Sequence, residues 1–250
     1  MQIPEFSTGQ WVVAVLAALS IGLAKSGLAG FGMLPVLLMA EILPARQSTG
    51  VVLPLLICGD IFAVSAFRKH AQWKYIWRLV PPALLGIVAG YFLMKQRIPN
   101  GAFRAIIGWI VLVMVGLHYL HKARPGVFER IPHTRWFAWL MGGWSGATTM
   151  VANAAGPVMT LYLLAVNLPK FEFVGTSAWF FLMINCVKVP FSYELGLIND
   201  VSLSFNAVLI PAVGLGILIG RRLIAIIPQK LFEQFALVFA AIASIRLILY

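Results

Sequence analysis

Three ionisable side chains stand inside long apolar stretches of this sequence. Lys25, Asp60 and Lys188 each have hydrophobic neighbours on both sides, and Asn185 precedes Lys188 by three residues. Ionisable groups are costly in an apolar environment, so they mark either a functional site or a buried ion pair. Two lysines suit a small anion, and Asp60 could balance one of them or carry a coupling proton. A structural role also stays open, with Asp60 paired to a lysine and Lys188 reaching toward the surface.

Two runs of small and helix-breaking residues form a second candidate group. The first runs from Ser26 to Gly32, and the second is VANAAGP from Val151 to Pro157. A helix that begins inside a membrane presents unpaired N–H groups and the positive end of its dipole, which favour an anion. The glycines could instead serve helix packing alone. The predicted substrate-binding residues are Lys25, Ser26, Gly27, Gly30, Gly32, Asn153, Gly156, Thr176, Asn185 and Lys188, with Asp60 as the coupling residue.

An enzyme is the least favoured alternative. Gly143–Gly146 reads GxSG and resembles the nucleophile segment of intramembrane rhomboid proteases, but such a serine needs a nearby base. The histidines lie at the edges of apolar stretches: His70, His118, His121 and His133. The sequence has no HExxH, P-loop or dinucleotide motif, and Cys58 and Cys186 lack metal-ligand spacing. We therefore predict no catalytic residue, no metal and no cofactor.

The elements that must position these residues are membrane helices. Hydrophobic residues make up 61% of the chain and charged residues 11%. The apolar blocks match the thickness of a bilayer. The net charge of +11 comes from residues at block ends, which indicates topology rather than nucleic-acid binding. The eight blocks are Gln10–Leu43, Ala45–Phe67, Trp73–Met94, Gly101–Leu120, Trp136–Val166, Phe171–Leu195, Val201–Ile219 and Gln229–Tyr250.

The blocks repeat along the chain. We predict a first repeat over 1–121, a basic cytoplasmic linker over 122–135 and a second repeat over 136–250. Internal duplication is frequent in secondary transporters. The matches lie 125 to 130 residues apart: Leu43-Pro44 with Leu168-Pro169, Asp60 with Asn185, Pro81, Gly86 and Gly90 with Pro211, Gly216 and Gly220, and Ile98-Pro99 with Ile227-Pro228.

The first and fifth blocks are each too long for one span and too short for two. Each could be a single kinked span, or two half-length helices joined by an unwound turn. The second arrangement gathers twelve basic residues on one face and leaves five on the other, whereas full crossings give nine against eight. The positive-inside rule therefore favours re-entrant hairpins, two inverted repeats and both termini outside the cytoplasm. The twelve are Arg68, Lys69, Lys74, Arg78, Lys122, Arg124, Arg130, Arg135, Lys170, Arg221, Arg222 and Lys230, and the five are Arg46, Lys95, Arg97, Arg104 and Arg246.

Three segments resemble one family across nearly the whole chain. They are AKSGLAGFGMLPVLLM from Ala24, AQWKYIWRLVPPALLGIVAGYFL from Ala71 and NLPKFEFVGTSAWFF from Asn167. These runs are similar to the sulfite exporter TauE/SafE family. The resemblance implies a two-repeat transporter of sulfite, thiosulfate, sulfonates or related organic anions in a prokaryotic plasma membrane. The second copy departs from the family pattern, because TTMVANAAGP replaces a glycine-rich run and Asn153 could substitute an amide for backbone contacts.

The predicted protein is an all-α, multi-pass, inverted-repeat secondary transporter. Each repeat would be a broken, re-entrant helical hairpin followed by three transmembrane helices. The expected partners are a small anionic substrate and membrane lipid, with no nucleic acid, and a homodimer stays open. An anion channel with the same lining site is the alternative, because pores and carriers can share lining chemistry.

Overall fold

The chain folds into helices joined by short connections. The computed structural model describes residues 6–26, 31–96, 98–123, 134–166, 168–226 and 229–249, and these residues contain helices and no strand. Single turns of 3-10 helix occur at Phe31–Met33 and Arg68–His70. The α-helices are α1 Thr8–Lys25, α2 Leu34–Ile42, α3 Ala45–Phe67, α4 Trp73–Lys95, α5 Asn100–Ala123, α6 Arg135–Ala152, α7 Gly156–Ala165, α8 Lys170–Glu194, α9 Asp200–Ile226 and α10 Gln229–Leu249.

Six of these helices are long and apolar enough to cross a membrane: α1, α3, α4, α5, α8 and α9. Large apolar side chains cover the outside of the bundle, with Trp77 60% exposed and Phe239 61% exposed. A soluble protein rarely exposes so much apolar surface, whereas a bilayer covers it. The predicted all-α integral membrane class is therefore confirmed.

Local sequence signals explain where several helices begin and end. Ser7 and Gln10 form a reciprocal capping box at the start of α1, which satisfies two free N–H groups. The side chain of Thr134 accepts from the backbone of Phe137 at the start of α6. Pro44 and Pro169 precede α3 and α8. Because proline disfavours helical conformation in the residue before it, each marks a boundary between two helices.

The first and third helices run in the same direction. Phe6 and Gln47, near the starts of α1 and α3, line one cavity. Further along both helices, Gly59 lies against Lys25. The chain returns through α2 between them. The two helices of this block are unequal rather than both half-length, with 18 residues in α1 and 9 in α2. We call the end of the bundle that holds Phe6 the terminal end and the opposite end, which holds Phe67, the linker end.

The sixth and eighth helices run in the opposite direction. α8 begins at the linker end, where Gly175 packs on the Phe67 carbonyl, and it finishes at the terminal end. Its last residue, Glu194, pairs there with Lys95. α6 also begins at the linker end, with Arg135 beside α4. It ends at Ala152, and α7 begins at Gly156, so the fifth block is interrupted where the sequence predicts.

The two halves of the chain interlock through close glycine contacts. α1 packs along α9, and α4 packs along α6. A Cβ atom at any of four glycines would press into a backbone carbonyl of the facing helix, so only glycine allows this approach. These glycines and the residues they face are Gly22 with Val213, Gly216 with Leu19, Gly146 with Ala83, and Gly86 with Gly143.

Candidate functional site

The carboxylate of Asp60 is the acidic centre of the site. Asp60 is fully buried and lies about 22 Å along α3 from its start and about 10 Å from its end. Lys25, the last residue of α1, places its Nζ 2.5 Å from Asp60 Oδ1. The same ammonium lies 4.9 Å from the centre of the Phe181 ring on α8. A carboxylate and an aromatic face therefore both stabilise the positive charge of Lys25.

Asn185 joins Asp60 to the second half of the chain. Its Nδ2 donates to Asp60 Oδ2 at 2.7 Å, and its Oδ1 accepts from Lys188 Nζ at 3.3 Å. Asp60 and Asn185 are also the residues that the sequence repeat aligns.

Lys188 is almost fully buried, with 2% of its surface exposed. Besides Asn185, its Nζ donates to Asn153 Oδ1 at 2.5 Å and to Thr149 Oγ1 at 3.1 Å. An ammonium has three N–H donors, and here each has a neutral oxygen as its partner. In the described part of the chain no carboxylate touches Lys188, because Asp60 reaches it only through Asn185.

Asn153 fixes the break after α6. Its backbone lies in the left-handed region with φ 51°, which asparagine tolerates better than most residues. Its Nδ2 donates to the Thr49 carbonyl of α3 at 2.9 Å, while its Oδ1 binds Lys188. The side chain that occupies the helix break therefore also ties α6 to α3 and to α8.

We call Lys25, Asp60, Asn185, Lys188, Asn153 and Thr149 the buried polar network. It connects α1, α3, α6 and α8, and it joins the end of α1 to the break that follows α6. With both lysines protonated and Asp60 ionised, its net charge is +1. An uncompensated positive charge in an apolar bundle attracts an anion.

Five predicted site residues lie in this network, and four others that the structure describes lie elsewhere. The hydroxyl of Ser26 donates to the Leu23 carbonyl. Gly32 is in the 3-10 turn before α2, and Gly156 begins α7. Thr176 accepts from the Gln72 backbone at the linker end. Gly27 and Gly30 lie outside the described residues.

Thr149 and Phe181 are site residues that the sequence did not predict. A threonine inside a helix commonly donates to a carbonyl of the preceding turn, as Thr148 does to the Trp144 carbonyl. The residue type of Thr149 and its place inside a helix therefore do not mark it as a partner of Lys188. The available signal is its place one turn before Asn153, on the face that carries the break. Phe181 lies among many phenylalanines, and the sequence shows no feature that distinguishes it.

The structure also places the serine of the GxSG segment. Ser145 of the GxSG segment lies in the middle of α6 and is buried, not on a sharp turn that would expose its hydroxyl. Over the described ranges, no cluster of three His, Cys, Asp or Glu side chains could hold a metal ion.

The chain matches the family model described as sulfite exporter TauE/SafE over residues 13–247. Comparisons with curated proteins and with solved structures gave no match.

Proposed function

The chain belongs to the sulfite exporter TauE/SafE family, and from this premise we propose that it is a secondary transporter that binds a small oxyanion at the buried polar network. The family indicates a membrane transporter of the sulfite-exporter type. The observation that carries the proposal for this chain is Lys188, a buried lysine whose direct partners are all neutral oxygens. An oxyanion could replace one of these neutral oxygens and supply the missing negative charge.

Asp60 supports a coupling step in this proposal. In the described arrangement, the carboxylate of Asp60 is the anion that Lys25 holds. A substrate anion that approaches Lys25 would therefore compete with Asp60. A proton on Asp60 removes that competition and raises the net charge of the network from +1 to +2. Anion binding and protonation of Asp60 would then favour each other, which couples anion movement to a proton.

The arrangement of the helices supports two inverted repeats that alternate in access. α1 and α3 run one way and α6 and α8 run the other. Asp60 meets its repeat equivalent Asn185 directly. The close contact of Gly22 with α9 has a counterpart in the contact of Gly146 with α4. Inverted repeats that meet at a binding site near mid-membrane are a recurrent basis for alternating access. We further propose that the protein acts in a prokaryotic plasma membrane.

Counterflow in proteoliposomes tests the proposal. Purified protein is reconstituted with unlabelled sulfite, thiosulfate, a sulfonate or a carboxylate inside, and uptake of the labelled anion is measured. A transporter gives faster uptake when the same anion is inside, and Lys188→Met should abolish this acceleration. Uptake that follows the gradient without any acceleration indicates the channel alternative. No uptake of any of these anions would contradict the proposed substrate class.

A further inference from the structure

A basic cleft lies between α4 and α6 at the linker end, separate from the buried polar network. It encloses about 280 Å³. Arg78 lies five residues into α4 and Arg135 is the first residue of α6, so both are within about 8 Å of a helix start. The lining residues are Trp77, Arg78 and Pro81 of α4 and Arg135, Ala138 and Trp139 of α6.

The cleft carries positive charge with no acidic residue among its lining. The ion pairs of the described residues are Lys25–Asp60, Lys95–Glu194 and Arg246–Glu41, so none of them neutralises either arginine. The Tyr162 hydroxyl, a neutral group, lies near the Arg78 guanidinium. The positive end of the α6 dipole adds to the charge of Arg135. The cleft is therefore complementary to an anion.

The walls of the cleft suit an amphipathic ligand. Trp77 is 60% exposed and Trp139 is 53% exposed. Tryptophan side chains are enriched at the membrane interface, where lipid headgroups meet acyl chains. The two arginines lie near the starts of their helices, which places them at the same interface. The cleft therefore places polar groups that can bind a lipid headgroup beside aromatic surfaces that can contact the first carbons of its acyl chains.

We propose that this cleft binds the phosphate of an anionic phospholipid. The two guanidinium groups hold the phosphate oxygens with paired N–H donors, a geometry for which arginine is well suited. Trp77 and Trp139 cover the glycerol region. The lipid contacts α4 of the first half and α6 of the second half, so its binding joins the two halves at the linker end.

Lipid binding to the purified full-length protein tests this site. Native mass spectrometry in detergent should show bound phosphatidylglycerol and little bound phosphatidylcholine with the same chains. Arg78→Gln and Arg135→Gln should each weaken phosphatidylglycerol binding about fivefold, which corresponds to one lost basic contact. Lys74→Gln is the matched control, because Lys74 is an exposed base one turn before Arg78 and does not line the cleft.

Each other outcome overturns the proposal. Equal weakening by Lys74→Gln and the arginine variants means that general surface charge attracts the lipid. Displacement of the lipid by soluble glycerophosphate at equal concentration means that the cleft binds free anions instead. Because Arg135 is exposed, Arg135→Gln leaves the packing intact and gives a result even where Arg78→Gln does not fold.

Discussion

At the scale of single residues, Lys25 is the side chain whose replacement separates a binding role from a structural one. Lys25→Met keeps the apolar stem and removes the charge. We expect a normal amount of folded protein with transport nearly lost, because Asp60 keeps its hydrogen bond from Asn185 and can take up a proton. Lys25→Arg should restore little, since a planar fork does not replace a compact ammonium. Folded yield by size-exclusion chromatography and uptake in proteoliposomes measure the two effects.

The structural reading of Lys25 predicts a different result. An ionised Asp60 left buried without its partner costs about 3–5 kcal/mol, so the single variant would misfold. In that case the double variant Lys25→Met/Asp60→Asn should recover the folded yield, because no charge is left unpaired. A Lys25→Met protein that folds and transports like the parent would show that Lys25 does not bind the anion and would leave Lys188 as the binding lysine of the network.

Asp60 can be tested for its proposed coupling role. Asp60→Asn nearly preserves the shape of the side chain and its contact with Asn185 but can no longer take up a proton. We expect accumulation driven by a pH gradient to disappear, while exchange of labelled for unlabelled anion continues. If Asp60 only balances Lys25, accumulation and exchange should fall together. Unchanged accumulation would remove Asp60 from the mechanism.

The residues of the network were predictable to different degrees. Lys25, Asp60 and Lys188 stand out because an ionisable residue is rare in an apolar block, and Asn153 and Asn185 follow from the break and the repeat. Thr149 was not predictable, because its role depends on how α6 faces α8. The assignment of Thr176 to the site stays a prediction, although its hydroxyl bonds the Gln72 backbone about 13 Å along α8 from Asn185. Which hydroxyl joins a network depends on tertiary packing.

At the scale of helices, close glycine contacts position the network. Gly86→Ala would place a methyl group against the Gly143 carbonyl, and Gly22→Ala would do the same at Val213. We expect each to destabilise the protein by about 1–3 kcal/mol, as overpacking does. Gly116→Ala is the matched control, because a Cβ there meets nothing within 4 Å. Thermal unfolding in detergent compares the three variants, and a Gly86→Ala protein as stable as the control would contradict this packing.

At the break after α6, one substitution can keep the backbone conformation and remove the hydrogen bonds of the side chain. Asn153→Gly keeps a residue that readily adopts φ 51° but removes the hydrogen bonds to Thr49 and Lys188. We expect the folded yield to persist and anion affinity, measured by thermal shift against a concentration series, to fall about tenfold, because Lys188 loses the amide oxygen that holds its side chain in position. Unchanged affinity would show that Asn153 serves the break alone.

At the scale of the whole molecule, the contacts bring both described ends of the chain to one end of the bundle. Phe6 shares a cavity with Leu43. Glu41, two residues before Leu43, pairs with Arg246 of the last helix at 3.3 Å. The distribution of basic residues predicts that both termini lie outside the cytoplasm, and the side of the membrane on which they lie stays a prediction. The interlocking of α1 with α9 and of α4 with α6 was not predictable, because the glycine motifs show that a helix packs closely but not on which partner.

The orientation of the bundle can be tested by labelling. In a variant with Cys58 and Cys186 replaced by alanine, we expect Ser7→Cys and Leu249→Cys to react with an impermeant maleimide on intact cells. Lys122→Cys should react only after the membrane is opened, because it lies at the linker end. That end carries Arg68, Lys69, Lys74 and Arg135, and basic loops stay in the cytoplasm.

Labelling of Lys122→Cys on intact cells would show that the bundle has the opposite orientation. Opposite results for Ser7→Cys and Leu249→Cys would contradict any arrangement with both ends on one side. A reversed bundle would also put the cleft between Arg78 and Arg135 in the outer leaflet, so the same experiment decides which leaflet must supply its phospholipid.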